Sequence, residues 1–197
     1  MDRSASRRRE LVYYVAVSLD GFIAAPDGSA DAFPVEGDHM ELVVGEYTDA
    51  LPGHVQRALG VRADLSRFDT VVMGWGTYTP ALAVGIDSPY PHLRQYVVGS
   101  PGRRTGADVT LVQDPVALVR ALKGEQGGSD VYLAGGGELA GSLLEEVDRL
   151  VLKVNPLLLG DGVPLFGRRG PRTTHLEVLD RRLFASGVTV VEARPRR

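Results

Sequence analysis

The segment VYLAGGGELA, Val131–Ala140, joins an apolar run to three consecutive glycines and then to residues that favour a helix. An apolar run that ends in glycine is typical of a buried strand in a parallel sheet. Glycine lets the backbone approach a ligand closely, and the first N–H groups of a helix carry a partial positive charge. This turn is therefore predicted to bind a diphosphate, with a packing role for Gly135–Gly137 as the alternative.

The same segment fits the dinucleotide fingerprint Gly-x-Gly-x-x-Ala at Gly135, Gly137 and Ala140. In a Rossmann domain this motif lies in the first strand–helix turn and is followed about 20 residues later by an acidic residue. Here the motif lies late in the chain, and Asn155 occupies the later position. We therefore exclude a Rossmann domain and keep phosphate binding.

Other strand–helix units lie on both sides of this segment. Strands are predicted at Leu11–Ser18, Phe68–Gly74, Arg94–Val98, Val109–Val112, Asp130–Ala134 and Val147–Asn155. Two short helices are expected within 38–60, one from Asp114-Pro115 to about Lys123, and one from the glycine turn to about Glu146. The tail Thr174–Ala193 is predicted to be a β-hairpin. This pattern predicts an α/β fold, with a mostly parallel central sheet flanked by helices and a C-terminal antiparallel hairpin.

Length and composition favour one domain: 197 residues, 44% hydrophobic and 24% charged. We predict a single domain over 11–194 after a flexible lead at 1–10, whose Arg7-Arg8-Arg9 cluster is expected to be solvated. The longest apolar run, Leu11–Val17, is too short to span a membrane, and a net charge of −3 does not favour nucleic-acid binding. The chain has no cysteine and its histidines lack metal-ligand spacing, so we expect no metal site and a cytoplasmic location.

Two further strand ends have turns that suit a nucleotide. Met73-Gly74-Trp75-Gly76-Thr77 leads from a strand into a helix that Thr77 is expected to cap. Val98-Gly99-Ser100 is followed by the cations Arg103 and Arg104. Because open α/β sheets bind ligands at the carboxyl ends of their strands, the three turns together predict an extended dinucleotide groove.

Four motifs in this order carry a resemblance to a known family: VAVSLDGFIA (Val15–Ala24), VMGWGTY (Val72–Tyr78), AGGGEL (Ala134–Leu139) and LVLKVNPLLLGDGVPLF (Leu150–Phe166). They resemble the dihydrofolate reductase-like superfamily. The closer similarity is to the bacterial branch that shares the reductase domain at the C-terminus of bifunctional riboflavin-biosynthesis proteins. The resemblance implies a dihydrofolate reductase-like fold and an NADPH-dependent reductase, with 5-amino-6-(5-phosphoribosylamino)uracil reductase activity as the activity of those relatives.

The resemblance also implies which residues contact each part of NADPH. Nicotinamide-side contacts fall on Ala16, Ile23 and Ala24. The diphosphate falls on the glycine turn, at Ala134, Gly135, Gly136, Gly137, Glu138 and Leu139. The adenosine side falls on Gly74, Trp75, Gly76, Thr77, Gly99 and Ser100. Relatives commonly have an arginine where this chain has Trp75, so Arg103 or Arg104 is expected to supply the cation near the 2′-phosphate, while Trp75 either stacks on adenine or packs.

The catalytic candidates are Asp20 and Lys153. Lys153 lies between apolar neighbours in a predicted strand, at a position that faces the substrate pocket in the family, and such a lysine is unusual unless paired or functional. The alternatives are a lysine that extends from a sheet edge and an aspartate that only anchors an Asp-Gly turn. Dihydrofolate reductases carry one carboxylate on the helix after the first loop. Four residues of this chain are candidates for that carboxylate: Asp38, Glu41, Glu46 and Asp49. None of them aligns with the carboxylate of dihydrofolate reductases, so folate is not the favoured substrate.

We expect an oxidoreductase that delivers a hydride from NADPH to a small pterin-like or flavin-precursor-like heterocycle beside Ala16 and Ile23. The loop Leu19–Gly37 is expected to act as a lid. The alternative is a nucleotide-binding module without catalysis, because no catalytic acid stands out. The edge strand of the Thr174–Ala193 hairpin favours a homodimer, which relatives often form.

Overall fold

The structure, a computed structural model, describes residues 7–168 and 173–197. Ten strands are present in these ranges: β1 (Leu11–Ser18), β2 (Phe22–Ala24), β3 (Phe68–Gly74), β4 (Arg94–Val98), β5 (Val109–Val112), β6 (Asp130–Gly135), β7 (Arg149–Asn155), β8 (Val163–Pro164), β9 (Leu176–Leu183) and β10 (Thr189–Pro195). Eight of them form one sheet in the order β5-β4-β3-β6-β1-β7-β10-β9, and β2 pairs with β8 separately.

Five α-helices connect the strands: α1 (His39–Glu46), α2 (Gly53–Leu59), α3 (Trp75–Ala83), α4 (Pro115–Gly124) and α5 (Gly137–Ser142), with a 3-10 turn at Thr48–Ala50. Across the described ranges, none of the helices combines the length and the apolar character that a bilayer-spanning segment requires.

Parallel pairing runs from β5 to β7, and β10 and β9 complete the sheet as an antiparallel pair. The predicted fold class is therefore confirmed. Because parallel strands end on the same side of a sheet, their last residues share one edge, here named the carboxyl edge: Ser18, Gly74, Val98, Val112, Gly135 and Asn155.

Side chains alternate between two buried faces of the sheet. On one face, named the α1 face, Tyr14, Met73 and Val151 pack with Leu42 and Tyr47 from the α1 region. On the other face, a second cluster joins the sheet to α4 and α5 and includes Tyr13, Val72, Leu133, Val119 and Leu139. The period-2 alternation of a strand sorts Tyr13 and Tyr14 to opposite faces, so each face presents its own surface at the carboxyl edge.

The predicted bounds of β1, β3, β4 and β5 are confirmed, and Asp114 caps α4 by accepting a hydrogen bond from Ala117 N at 2.9 Å. The prediction that Thr77 caps α3 is wrong, because the helix already begins at Trp75 with Gly74 as N-cap. α5 ends at Ser142 rather than near Glu146, and β7 begins at Arg149. The segment between them turns so that Val147 is fully buried.

Arg9 contradicts the expectation of a solvated basic lead, because it is only 2% exposed. Its guanidinium pairs with Asp69 and Glu125. It also donates to Ser129 O at 2.7 Å and to Thr70 Oγ1 at 2.9 Å. All these partners lie far away in sequence, which is why local composition did not reveal them. Residues 1–6 lie outside the described ranges, so the domain boundary stays a prediction.

We expect Arg9→Met to lower the free energy of unfolding by about 1–3 kcal/mol, because it removes the buried guanidinium that bonds to Asp69, Glu125 and the Ser129 carbonyl. Arg8→Met is the matched control: Arg8 is exposed, and its removal is expected to change stability by less than about 0.5 kcal/mol. Urea unfolding of the two variants measures the difference. Equal effects would show that the Arg9 ion pairs do not hold the lead to the sheet.

Candidate active site

The three predicted ligand turns adjoin at the carboxyl edge. β6 lies between β3 and β1, so the glycine turn lies between the turn that follows β3 and the end of β1. A Cβ atom at Gly74 would lie 3.4 Å from Gly136 N and 3.5 Å from Gly135 O. Adjacent strands are about 4.8 Å apart, so β3 and β1 are separated by about 10 Å. The turns therefore form one continuous row.

The three glycines of the central turn have different roles. A Cβ atom at Gly137 would lie 2.0 Å from Pro164 O, so this position requires glycine for packing. Gly135 has a φ of +98°, which an L side chain rarely adopts. At Gly136 a Cβ atom would meet only Thr77 Oγ1, at 3.6 Å. The packing alternative thus applies to Gly137, while Gly136 leaves its backbone accessible to a ligand.

The residues that follow this turn point their side chains away from it. Glu138 accepts a hydrogen bond from Arg168 N at 3.0 Å, and Leu139 is buried in the core. These two residues can contact a phosphate only through their backbone N–H groups, because the first N–H groups of a helix have no partner within the helix. Ala134 is half-buried on the α1 face.

Thr77 carries a free hydroxyl beside the glycine turn. Because α3 begins at Trp75, Thr77 lies within the first helical turn, and its hydroxyl has no hydrogen-bond partner in the described part of the chain. Thr79, on the same helix, instead donates to Gly76 O at 3.4 Å. Because Thr77 does not cap α3, its hydroxyl is available as a hydrogen-bond donor next to Gly136.

The adenosine-side residues lie at the ends of β3 and β4. The Trp75 ring packs against the α1-face cluster, and the Arg103 guanidinium lies 4.4 Å from its centroid. This supports a packing role for Trp75, with one ring face covered by Arg103. Gly76, Ser100 and Arg104 are exposed, and Gly99 is half-buried.

Asp20 anchors a turn. Its carboxylate accepts hydrogen bonds from Leu159 N and, at 2.7 Å, from Gly160 N. The Ser18 hydroxyl donates to the same carboxylate and, with these backbone donors, lowers the pKa of Asp20. The ionised carboxylate fixes the loop base and does not hold a proton at neutral pH, so the geometry favours the turn-anchor alternative. The neighbouring residues Ile23 and Ala24 lie in β2, which this loop places beside β1.

Lys153 is a half-buried cation without an anionic partner. It is opposite Ala16 on β1 and Val190 on β10, so β7 is an interior strand and the sheet-edge alternative is wrong. Its Nζ lies 5.1 Å from the centroid of the Tyr14 ring, and no carboxylate within residues 7–168 and 173–197 pairs with it. Burial lowers the pKa of Lys153 to about 8. An unpaired ammonium on the α1 face is the strongest candidate for contact with a substrate.

Tyr14 is a polar residue that the sequence did not single out. It is 5% exposed and its ring stacks on Tyr47 at a centroid distance of 4.3 Å. Its hydroxyl is buried without a hydrogen-bond partner, and burial raises its pKa. A buried, unpaired hydroxyl is costly, and this one belongs to the ring that lies beneath Lys153. The only sequence signal was a tyrosine within an apolar strand.

Three of the four candidate carboxylates in and next to α1 have structural partners. Asp38 accepts hydrogen bonds from Ala185 N and Ser186 N in the C-terminal hairpin. Glu46 pairs with Arg182 and Arg67. Asp49 is buried and accepts from three backbone N–H groups, those of Leu65, Arg67 and Phe68. Glu41 is exposed. The α1 region therefore uses most of its carboxylates to hold the fold together.

A family model, that of the RibD C-terminal domain, matches residues 9–190. The chain belongs to this family. Two curated relatives from Bacillus subtilis (strain 168) are uncharacterized proteins. YwjB is 33% identical over 164 residues, covering 80% of this chain and 83% of YwjB. YyaP is 25% identical over 199 residues, covering 94% of each chain.

Solved structures share the fold of this RibD C-terminal domain. A protein from Shewanella sp. PV-4 named for riboflavin biosynthesis matches with a TM-score of 0.70 and 24% identity, covering 95% of this chain and 99% of that one. A diaminohydroxyphosphoribosylaminopyrimidine deaminase/5-amino-6-(5-phosphoribosylamino)uracil reductase from Thermotoga maritima matches with a TM-score of 0.62 and 17% identity. The match covers 96% of this chain and 57% of that one. A pyrimidine reductase-like protein from Corynebacterium diphtheriae matches with a TM-score of 0.60 and 13% identity, covering 96% of this chain and 92% of that one. The dihydrofolate reductase-like fold is thus confirmed, and the family match supports a reductase-like enzyme.

We expect Lys153→Met to stabilise this RibD C-terminal domain at pH 7 by about 1–3 kcal/mol, because it removes a desolvated, unpaired cation. The folded-state pKa of about 8 lies below the unfolded value of 10.5. The penalty is therefore complete below about pH 8 and disappears as the pH rises towards 10.5. Urea unfolding of both proteins at pH 7 and pH 10 measures this. A difference that does not shrink at pH 10 would contradict the assignment of an unpaired ammonium.

Proposed function

We propose that this protein is an NADPH-dependent oxidoreductase that delivers a hydride to a small pterin-like or flavin-precursor-like heterocycle at the carboxyl edge. The spatial order of three segments at the carboxyl edge carries the proposal. Thr77 lies after β3, Gly136 after β6, and Ala16 near the end of β1, in that spatial order. This matches the order of adenosine, diphosphate and nicotinamide in an extended dinucleotide. Membership of the RibD C-terminal domain family supports the same conclusion.

Each part of the row has a chemical role in this proposal. The half-buried backbone N–H of Gly136 and the free Thr77 hydroxyl donate hydrogen bonds to the diphosphate. When bound, NADPH supplies the hydride, and the protein supplies orientation and a water-poor surface. Ala16 lies opposite Lys153 on the α1 face, and its small side chain is where we expect the flat nicotinamide ring to pack.

Lys153 orients the substrate. At neutral pH its ammonium holds three protons that no described carboxylate engages, so it binds an oxygen or an anionic group of the heterocycle. The Tyr14 hydroxyl stays protonated because burial raises its pKa. In this proposal, the loop that begins after β1 and is anchored by Asp20 closes over the same edge and excludes water from the substrate side.

A titration with NADPH, followed by nicotinamide fluorescence, tests the site. Thr77→Val keeps the side-chain shape but removes the hydroxyl, and we expect about tenfold weaker NADPH binding. Thr79→Val is the matched control on the same helix, because its hydroxyl already bonds to Gly76 O. We expect the control to bind NADPH like the wild type. Equal affinities of the three proteins would remove Thr77 from the proposed site.

Catalysis is tested by oxidation of NADPH, followed by absorbance at 340 nm, with dihydropterins and with flavin-precursor pyrimidines as probes. We expect turnover with one of these classes, and Lys153→Met is expected to raise KM because it removes the substrate anchor. A protein that binds NADPH tightly but oxidises it with neither class would favour the alternative, a nucleotide-binding module without catalysis. Absence of NADPH binding would overturn both the proposed reductase function and the non-catalytic alternative.

We also propose that the protein is a homodimer that uses β9. Among the described residues this edge strand pairs with β10 alone, and it exposes large apolar side chains on both of its faces. They are Leu176, Val178, Leu179 and Leu183. An unpaired strand edge with exposed apolar residues favours association with a second copy of the same chain.

Sedimentation velocity tests the dimer. We expect the wild type to sediment as a dimer at micromolar concentration, and Val178→Lys/Leu179→Lys to sediment as a monomer because charges at the interface oppose association. Val84→Lys is the control, since Val84 is also exposed but lies at the end of α3. A monomeric wild type would overturn this proposal.

A further inference from the structure

Tyr14 has a buried hydroxyl group without a hydrogen-bond partner. Within residues 7–168 and 173–197, every other fully buried side-chain oxygen or nitrogen has a partner. The neighbouring Tyr13, for example, donates to Leu165 O at 3.0 Å. Burying an unpaired hydroxyl destabilises a fold, and phenylalanine would fill the same volume without that cost. The Tyr14 hydroxyl is therefore free to bond to a group from outside the chain.

The ring that carries this hydroxyl is fixed by aromatic stacking. Tyr14 stacks on Tyr47 with a centroid distance of 4.3 Å and an angle of 15° between the two rings. The Arg67 guanidinium lies 4.3 Å from the centroid of the Tyr47 ring and holds that ring in turn. The hydroxyl thus has a defined position before any ligand binds, which lowers the entropy cost of binding.

The register of the sheet places Tyr14 beside Lys153. Tyr14 and Ala16 are two residues apart on β1 and point to the same face, and Lys153 lies opposite Ala16 on β7. The Lys153 Nζ atom lies 5.1 Å from the centroid of the Tyr14 ring. Tyr14 is 5% exposed whereas Lys153 is half-buried, so the tyrosine is the more deeply buried of the two.

Both groups are hydrogen-bond donors at neutral pH. Burial raises the pKa of Tyr14, so its hydroxyl keeps its proton, and Lys153 offers three N–H donors and no acceptor. The carboxylates of Asp38, Glu46 and Asp49 bond to other segments of the chain. A carbonyl oxygen has two lone pairs and can accept hydrogen bonds from two donors. The pair is therefore suited to a ring carbonyl oxygen.

We propose that Tyr14 is a substrate-binding residue whose hydroxyl, together with the Lys153 ammonium, donates a hydrogen bond to one carbonyl oxygen of the heterocycle. This oxygen is the partner that the Tyr14 hydroxyl lacks in the free protein. An amino group at the same position would leave the ammonium without an acceptor, so the site selects an oxygen. This inference rests on the proposed function and adds a second residue to its substrate side.

Stability and ligand binding of Tyr14→Phe test the inference, because the two are expected to respond differently. Without the unpaired hydroxyl, we expect the variant to unfold at a urea concentration equal to or above that of the wild type. The probe is lumazine (pteridine-2,4-dione), a flat ring with two carbonyl oxygens, titrated by calorimetry into protein saturated with NADP⁺. We expect Tyr14→Phe to bind lumazine about tenfold more weakly and to bind NADPH like the wild type.

Tyr13→Phe is the matched control on the same strand. It removes a hydroxyl that already has a partner, Leu165 O, on the opposite face of the sheet. We expect this variant to unfold at a lower urea concentration than the wild type and to bind lumazine with unchanged affinity.

The double variant Tyr14→Phe/Lys153→Met tests whether the two donors bind the same oxygen. We expect it to lose less affinity for lumazine than the product of the two single losses, because each donor holds the oxygen in place for the other. A loss equal to that product would show that the two side chains bind separate groups, and the shared site would be wrong.

The remaining outcomes distinguish this inference from the proposed function. If Tyr14→Phe binds lumazine like the wild type, or unfolds at a lower urea concentration as Tyr13→Phe does, the inference is wrong while the dinucleotide site stands. The same holds if the wild type binds NADPH but not lumazine. If the wild type does not bind NADPH, the proposed function itself has failed.

Discussion

Parallel pairing of β1 with β6 along Leu11–Tyr13 and with β7 along Val12–Ser18 fixes the centre of the sheet. Because β6 also pairs in parallel with β3, the carboxyl ends of the four adjacent strands β3, β6, β1 and β7 lie at one edge of the sheet. Three of these ends continue into glycine-rich or loop-forming segments, and no single segment could form the row of turns alone. The register also sets Ala16 opposite Lys153, so the nicotinamide side and the substrate side of the proposed site depend on the same pairing.

Charge is distributed unevenly between the structural and the candidate functional residues. Arg9, Glu46, Asp49 and Asp38 are satisfied by long-range partners and hold separate segments together. Lys153 and Arg103 remain without anionic partners in the described part of the chain, one at each end of the row. A folded protein rarely leaves a half-buried ammonium unpaired, since desolvation is not offset. The unpaired Lys153 ammonium is therefore the clearest physical indication of where a ligand with anionic groups binds.

Most of the sheet could be predicted from the sequence. Apolar runs bounded by glycine, proline or aspartate gave the bounds of β1, β3, β4 and β5, and the alternation with helices gave the parallel arrangement. Predictions from local sequence were less successful where a contact between segments distant in sequence determines the burial or the role of a residue. The burial of Arg9 depends on Asp69 and Glu125, and the anchoring role of Asp20 depends on Leu159 and Gly160. At Thr77, glycine allowed the helix to begin earlier than the capping rule indicated, which left the hydroxyl free.

The most direct test of this account is a crystal structure of the protein with NADPH bound. We predict an extended cofactor along the carboxyl edge, with the adenosine ribose beside Arg103, the diphosphate between Thr77 and Gly136, and the nicotinamide next to Ala16 and Lys153. A cofactor bound in the reverse orientation, or bound away from this edge, would contradict it.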